Sequence, residues 1–167
     1  LRANNYGDLC FIDHGEIVVQ FADESHKRFL FLIIIDAASN LVAAMPCKDK
    51  FEETAVTKFK EWMDNAQVTP KAICGDEFFQ TRRWKDLYQL HGMRVIPTGP
   101  YSPWPNRAET AVRLFKKQIK ILIKEVQGQP SLKDTTAAEL FRKAVTARNA
   151  SLTYGGKSPL EIATGRR

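Results

Sequence analysis

The run from Phe29 to Ile35, FLFLIII, places the strongest constraint on how this chain can fold. A strand with one face in water alternates apolar and polar residues, whereas this run is apolar throughout and ends in three β-branched isoleucines. It is also much too short to cross a membrane as a helix. The run is therefore predicted to be a central strand of a sheet that is covered on both faces.

Two further strands are predicted beside this central one. Leu9–Val19 is apolar on both sides of Asp13, and Leu41–Cys47 follows the turn at residues 36–40. Because only short polar turns separate the three runs, they are predicted to form an antiparallel meander. The apolar period then changes to that of amphipathic helices, which alternate with two short strands. The predicted helices are Phe51–Ala66 and Arg82–His91, and the predicted short strands are Ala72–Cys74 and Met93–Ile96.

The remainder of the chain is predicted to be mainly helical. A long helix begins near Asn106, a second runs from Ser131 to about Ala150, and a short one begins at Pro159. Strands that are separated by helices lie parallel to each other, so the order βββ-α-β-α-β-α-α predicts an α/β fold. Its core is a mixed five-stranded sheet with helices on both faces. This order resembles that of the RNase H-like fold.

Length and composition limit the class of protein. At 167 residues the chain, 1–167, is most simply one domain. Its net charge of +6 suggests a polyanionic partner. Cys10, Cys47 and Cys74 lack CxxC spacing, which favours buried free thiols in a reducing compartment over a disulfide scaffold or a zinc site. No apolar run reaches the length of a membrane span, so no membrane partner is expected.

A proline-rich loop runs into a helix in the segment PTGPYSPWPNRAETAVRLFKKQIK, residues 97–120. The prolines exclude both helix and central strand from the loop. Asn106 is a good N-cap, and Glu109 three residues later gives the arrangement of a capping box. A basic ridge follows on the helix; its residues are Arg113, Lys116 and Lys120. An acid followed by such a ridge is suited to hold a metal ion beside a phosphate backbone, and the alternative is a solvated helix face.

Three carboxylates occupy key points of the predicted order. Asp13 lies in the first strand, Asp76 at the carboxyl end of the fourth, and Glu109 at the start of the long helix. Each has a structural alternative: a bulge or strand-end residue, the cap of a turn after Gly75, and half of a capping box, respectively. A carboxylate inside an apolar strand is costly unless it is paired, hydrogen-bonded or bound to metal. Jointly, the three carboxylates are better explained by a magnesium site. Two such ions about 4 Å apart would clamp the attacking and leaving oxygens of a phosphoryl displacement.

Four stretches of the sequence carry a family resemblance: FID at Asp13, ICGDEFF at Asp76, PYSPWPNRAETAVRLFKK at Glu109, and the closing NASLTYGGKSPLEIATGR. Together they resemble the catalytic core of retroviral and LTR-retrotransposon integrases, which are DD(E) strand transferases. The resemblance covers nearly the whole chain. It implies that Asp13, Asp76 and Glu109 are the catalytic and metal-binding triad, with two Mg²⁺ ions as cofactor and Mn²⁺ as a substitute. The DNA-contacting residues that it implies are Tyr101, Ser102, Arg107, Arg113, Lys116 and Lys120.

The resemblance also implies a reaction and its partners. The reaction is 3′-end processing followed by strand transfer, with element-end DNA and target DNA as substrates, in the nucleus or in a retroelement particle. We expect a homodimer or higher assembly, with Phe51–Ala66 and Ser131–Ala150 at the interface. Trp62 and Trp84 are assigned to the core or to this interface. The 167 residues are expected to be the core alone, without the zinc-binding and β-barrel modules of the family.

The sequence departs from the usual family pattern between the second and third acids. Glu77-Phe78 stands where Asn-Gly or Gln-Gly is common, Trp104 takes a place that is usually small and polar, and the interval from Asp76 to Glu109 is short. Two other functions stay open. One is a domesticated core that only binds DNA or dimerises, against which the intact triad argues. The other is an RNase H-like nuclease acting on RNA–DNA hybrids, against which the YSPWPNRAE segment argues.

Overall fold

The computed structural model describes residues 3–20, 26–96, 110, 113–118, 120–121, 137–151 and 157–164. Within them, five strands form one sheet in the order β3-β2-β1-β4-β5. The strands are β1 (Cys10–Gln20), β2 (His26–Asp36), β3 (Val42–Cys47), β4 (Ala72–Cys74) and β5 (Arg94–Ile96). β1, β2 and β3 pair antiparallel, and β4 is parallel to both β1 and β5. The predicted mixed sheet and its antiparallel meander are confirmed.

Helices follow the strands in the predicted order. They are α1 (Glu52–Ala66), α2 (Arg82–Leu90), α3 (the helical residues 113–118 and 120–121), α4 (Ala137–Ser151) and α5 (Pro159–Thr164). One element was not predicted, a 3-10 helix at Glu77–Gln80 between β4 and α2. The side chain of Ser158 accepts the N–H of Glu161, so it caps α5.

The central run is covered on both faces, as its lack of alternation predicted. Because side chains alternate along a strand, Phe31 and Ile33 of β2 lie on one side of the sheet, and Leu32 and Ile34 lie on the other. The first side also holds Phe115 of α3 and Ala144 of α4, and the second side is packed by α1 and α2. The structure is therefore a sheet between two helical layers.

β2 begins three residues before its apolar run does. His26, Lys27 and Arg28 are polar, but they continue the backbone ladder opposite Gln20, Val19 and Val18 of β1. Hydrogen bonding to a neighbouring strand, and not hydrophobicity, decides where this strand begins. The apolar pattern could not reveal that extension.

A buried carboxylate fastens the chain before β1 to the turn after β2. Asp36 is only 2% exposed, and it accepts hydrogen bonds from the N–H of Gly7 (2.9 Å) and the N–H of Ser39 (2.8 Å). The hydroxyl of Ser39 donates a third, at 2.6 Å. These donors offset the cost of burying the charge, so Asp36 is structural.

The aromatic residues of α1 and α2 belong to the core. Phe59 and Trp62 of α1, and Trp84 of α2, are buried against the sheet. Of the two places considered for the tryptophans, the core is the observed one. Phe59 and Trp62 therefore do not support the predicted interface through α1, which would have to use the opposite, polar face of that helix.

Two further expectations can be compared with the structure. Cys10, Cys47 and Cys74 are all free and buried, as predicted. Among the residues that the structure describes, no helix combines the length and the apolar character that crossing a bilayer requires.

Candidate active site

Asp13 and Asp76 lie just beyond the pairing of two parallel strands. In the β1–β4 pair, Cys10 lies opposite Ile73 and Phe11 lies opposite Cys74. Asp13 comes two residues after Phe11 within β1, and Asp76 comes two residues after Cys74, where β4 has ended. Asp76 thus follows the carboxyl end of β4, the position at which open α/β sheets bind ligands. The fold places two of the three predicted acids beyond the same end of the β1–β4 pairing.

Each of these two carboxylates accepts a hydrogen bond from a nearby backbone amide. Oδ1 of Asp13 accepts the N–H of His14 at 2.8 Å, and Oδ1 of Asp76 accepts the N–H of Phe78 at 3.0 Å. Asp13 is partly buried, whereas Asp76 is exposed. A hydrogen bond from a backbone N–H fixes the orientation of a carboxylate group without neutralising its charge.

The structure tests the structural alternatives for two of the acids. Asp13 is not in a bulge, because the β1–β2 ladder runs without interruption from Cys10 opposite Asp36 to Gln20 opposite His26. Asp76 does serve as a cap, since it is the N-cap of the 3-10 helix. The structural interpretation of Asp76 is therefore correct, and it is compatible with ligand binding because its side chain remains exposed.

His14 directly follows Asp13 on β1, and its ring packs on the 3-10 helix that Asp76 caps; sequence reasoning missed it. Its ring centroid is 4.6 Å from that of Phe78 and 5.2 Å from that of Phe79. Burial lowers the pKa of His14 below its usual value; the charge of Asp76 opposes this shift, and that of Lys50 adds to it. The imidazole is therefore neutral at pH 7. Its place directly after Asp13 was the signal available in the sequence.

A glycine allows α3 to pack on the same side of the sheet as Asp13. Gly15 is two residues after Asp13 and lies opposite Phe31, whose ring occupies the space that a Cβ on Gly15 would need. The ring of Phe115 packs edge-on against Phe31, with centroids 5.3 Å apart. Through Phe115, α3 is therefore anchored beside Gly15, two residues from Asp13 along β1.

A charged group borders this end of β1. Glu16 is bound by Arg28, with Nε to Oε1 at 2.6 Å, and by Lys50, with Nζ to Oε2 at 2.9 Å. The hydrogen bonds from Lys50 and Arg28 lower the pKa of Glu16. All three groups are solvent-exposed to a large degree, so the pairs contribute little to stability. They leave a net positive charge at this border.

The other predicted site residues are distributed as follows. Glu109, Tyr101, Ser102 and Arg107 lie outside the described residues. On α3, Arg113 and Lys120 are exposed and Lys116 is partly exposed. Their side chains are thus available to a partner, as the basic ridge required.

The donor atoms of the site fit a hard divalent cation. Asp13 and Asp76 offer carboxylate oxygens, which Mg²⁺ prefers. Within the described part of the chain, no group of three or more His, Cys, Asp or Glu side chains could hold a metal ion. Glu109, the third predicted ligand, lies outside the described residues, so the three-carboxylate site stays a prediction.

A cavity of about 610 Å³ lies elsewhere, between the end of β3 and α1. Its lining includes Cys47, Lys48, Thr54 and Lys58, and neither Asp13 nor Asp76 contributes to it. We therefore place the candidate site at Asp13 and Asp76 and not in this cavity.

Comparison with known proteins gives a consistent result at the level of fold. No protein-family model and no curated protein matches the sequence. The HTLV-2 integrase catalytic core domain in complex with magnesium, in its dimeric form, matches with a TM-score of 0.74 at 11% identity, over 99% of this chain and 100% of its own. The catalytic core domain of BIV integrase matches with a TM-score of 0.68 at 17% identity, over 95% of each chain.

A larger assembly contains the same fold. A chain of the simian T-cell lymphotropic virus intasome, in complex with the PP2A regulatory subunit B56 gamma, matches with a TM-score of 0.79 at 13% identity. The match covers 100% of this chain and 58% of the intasome chain. At such identities the likeness concerns the fold alone. The chain has the fold of retroviral integrase catalytic core domains.

Proposed function

We propose that this chain is the catalytic core of an integrase-type DNA strand transferase, which processes the 3′ ends of an element's DNA and joins them to target DNA. The observation that carries the proposal is the position of Asp13 and Asp76, each two residues beyond the last pair of the β1–β4 ladder. The sheet on which they lie has the integrase-core fold. Neither the fold nor a pair of acids would be sufficient alone, because one fold serves many functions.

Mg²⁺ is the cofactor that the proposal implies. Asp13 and Asp76 would hold it with Glu109 as the third ligand, and Mn²⁺ would substitute. The HTLV-2 core domain, which shares the fold, is described as a magnesium complex, and this supports the assignment. When bound, two such ions would stabilise the charge that develops on the attacking and leaving oxygens of the phosphodiester.

The chemistry is the same displacement carried out twice. In processing, the oxygen of a water forms a bond to phosphorus and the bond from phosphorus to the 3′ oxygen breaks, which leaves a free 3′-hydroxyl. In joining, that hydroxyl attacks a target phosphodiester and displaces a 3′ oxygen there. Asp13 and Asp76 fix the reacting centre, and the basic side chains of α3 bind the adjacent phosphates. The residues proposed for this binding are Arg113, Lys116 and Lys120, together with Tyr101, Ser102 and Arg107 of the preceding segment.

Assembly is part of the proposal. The HTLV-2 core occurs in dimeric and trimeric forms, which supports an oligomer here. Because α1 directs Phe59 and Trp62 into its own protomer, we propose that its exposed polar residues meet the partner.

The test is strand joining on a short duplex in the presence of Mg²⁺. Asp13→Asn and Asp76→Asn are the informative variants, because an asparagine side-chain oxygen still accepts the amide hydrogen bond but carries no charge. We expect both variants to melt like the parent, to bind DNA, and to join no strands. Parental joining by either variant would refute the proposed catalytic site.

A non-catalytic DNA-binding core is the second candidate. It is favoured by one observation, namely that both acids already have a structural partner in the folded chain. An unmodified chain that binds DNA yet joins none of it, with either Mg²⁺ or Mn²⁺, would support this candidate instead.

A further inference from the structure

The ring of His14, on β1 beside Asp13, contacts the ring of Phe78, in the 3-10 helix that Asp76 caps. The two rings meet edge to face, with centroids 4.6 Å apart and an angle of 77° between their planes. We propose that this ring contact sets the spacing of Asp13 and Asp76, so that His14 and Phe78 are positioning residues for the divalent cation. The proposal rests on the proposed function, because it concerns the ligands of that same site.

The same two residues also hold the two carboxylates. The amide of His14 donates to Asp13, and the amide of Phe78 donates to Asp76. The backbone of His14 thus orients Asp13, and the backbone of Phe78 orients Asp76. The side chains of His14 and Phe78 contact each other. The ring contact therefore joins the two backbone segments whose amides orient the acids.

The 3-10 helix that carries Phe78 is firmly fixed to the protein. Phe79 is 1% exposed, its ring packs against that of Trp84 at 5.3 Å, and its carbonyl accepts the hydroxyl of Tyr88 at 2.9 Å. The side-chain amide of Gln80 donates to the carbonyl of Gly75 at 2.9 Å. These bonds tie the helix to α2 and to the end of β4, and the ring contacts of Phe78 and Phe79 with His14 join it to the strand of Asp13.

The ring of His14, and not its Nε2 atom, makes these contacts. Nε2 is buried and has no hydrogen-bond partner among the described residues. A phenyl ring would keep the edge-to-face packing and would lose no hydrogen bond at that atom. His14→Phe is therefore the conservative variant, and His14→Ala is the disruptive one.

The experiment measures Mn²⁺ binding by the 167-residue chain, followed by the EPR signal of the free ion. The variants are His14→Ala, His14→Phe, Phe78→Leu and the double variant His14→Ala/Phe78→Leu. His91→Ala, which removes an exposed histidine, is the matched control. Asp13→Asn and Asp76→Asn report on the metal site itself. Circular dichroism and thermal melting without metal show which variants are folded.

We expect His14→Ala and Phe78→Leu each to weaken Mn²⁺ binding by about tenfold, which is typical for residues that orient metal ligands. The double variant should bind no more weakly than His14→Ala alone, because His14→Ala already removes the contact with Phe78. His14→Phe and the control should bind like the parent. This pattern would not arise from a general loss of stability, since binding is compared among folded variants.

Three results would overturn the inference. The first is Mn²⁺ binding at the parental affinity by a folded His14→Ala variant. The second is binding by His14→Phe that is as weak as binding by His14→Ala, because an imidazole nitrogen and not the ring contact would then be responsible. If His14→Ala does not fold, Phe78→Leu decides alone, since Phe78 is only partly buried. Finally, parental binding by Asp13→Asn and Asp76→Asn would refute the metal site, and the proposed function would fail with it.

Discussion

Asn149 of α4 closes the edge of the sheet, and its removal should destabilise the protein strongly. Its Oδ1 accepts the N–H of Val42 at 2.9 Å, and its Nδ2 donates to the carbonyl of Val42 at 2.9 Å. Val42 belongs to β3, which lies at the edge of the sheet. The side-chain amide thus takes the place that another strand's backbone would occupy at that position.

The cost of Asn149→Ala follows from these two bonds. Val42 is 2% exposed and Asn149 is 7% exposed, so both backbone groups would be left without a partner in a dry environment. Each such group costs about 1–3 kcal/mol. We expect a loss of about 2–4 kcal/mol, because the shortened side chain lets some water approach. For a chain of this size, that loss lowers the melting temperature by roughly 4–15 °C.

Urea unfolding, followed by tryptophan fluorescence to which the buried Trp62 and Trp84 contribute, measures this loss. Thr146→Ala is the matched control, because it truncates an exposed residue of the same helix and should change the free energy of unfolding by no more than about 0.5 kcal/mol. A change of similar size for Asn149→Ala would refute the reasoning. It would show that the bonds to Val42 are replaced without cost.

Asn149→Asp tests the direction of the two bonds. Its charged form can accept the N–H of Val42 but repels the carbonyl, whereas its protonated form can donate to that carbonyl. The folded state therefore binds the proton more tightly than the unfolded chain, where aspartate titrates near about 3.9. The free energy of unfolding of this variant, relative to the parent, should rise as the pH falls from 7 toward 5. A pH-independent difference would contradict the bonding pattern.

Three further predictions concern the site. Gly15→Ala places a methyl group where the ring of Phe31 lies, and should cost about 1–3 kcal/mol in urea unfolding; an unchanged midpoint would show that the ring moves freely. Replacing Arg113 and Lys116 together should weaken DNA binding for every sequence and reduce the salt dependence by roughly two phosphate contacts, whereas an unchanged slope returns them to a solvated face. Glu109→Gln should melt like the parent, because glutamine completes a capping box equally well, but should join no DNA; joining at near-parental rates would make Glu109 only a cap.

The sequence predicted the features of this fold that depend on periodicity. The apolar run Phe29–Ile35 and the helical pattern of Phe51–Ala66 correspond to β2 and α1, because each element must bury a face whose period the side chains reveal. The parallel pairing of β4 with β5 was also foreseeable, since strands on either side of a helix run parallel.

Contacts between distant side chains were not predictable in this way. The bonds of Asn149 to Val42 span 107 residues, and an asparagine in a helix gives no sign that it will meet a strand edge. The 3-10 helix at Glu77–Gln80 depends on the Asp76 cap and on the packing of Phe79. Neither of these produces a periodic pattern of apolar residues in the sequence. The sequence also does not show which surface an apolar helix face contacts. The aromatic residues of α1 therefore suggested an interface, although the sheet of the same protomer covers them.

The structural and the proposed catalytic roles of Asp76 support each other. A carboxylate has two oxygens, and in Asp76 one of them accepts the amide of Phe78. That bond already restricts the side chain before any cation arrives, so less conformational entropy remains to be lost on binding. The same holds for Asp13, whose Oδ1 accepts the amide of His14. A cap at this position therefore does not argue against a metal site. The hydrogen bond of the cap orients the oxygens that the site needs. Asparagine could replace aspartate as the cap but not as a metal ligand, because it carries no charge.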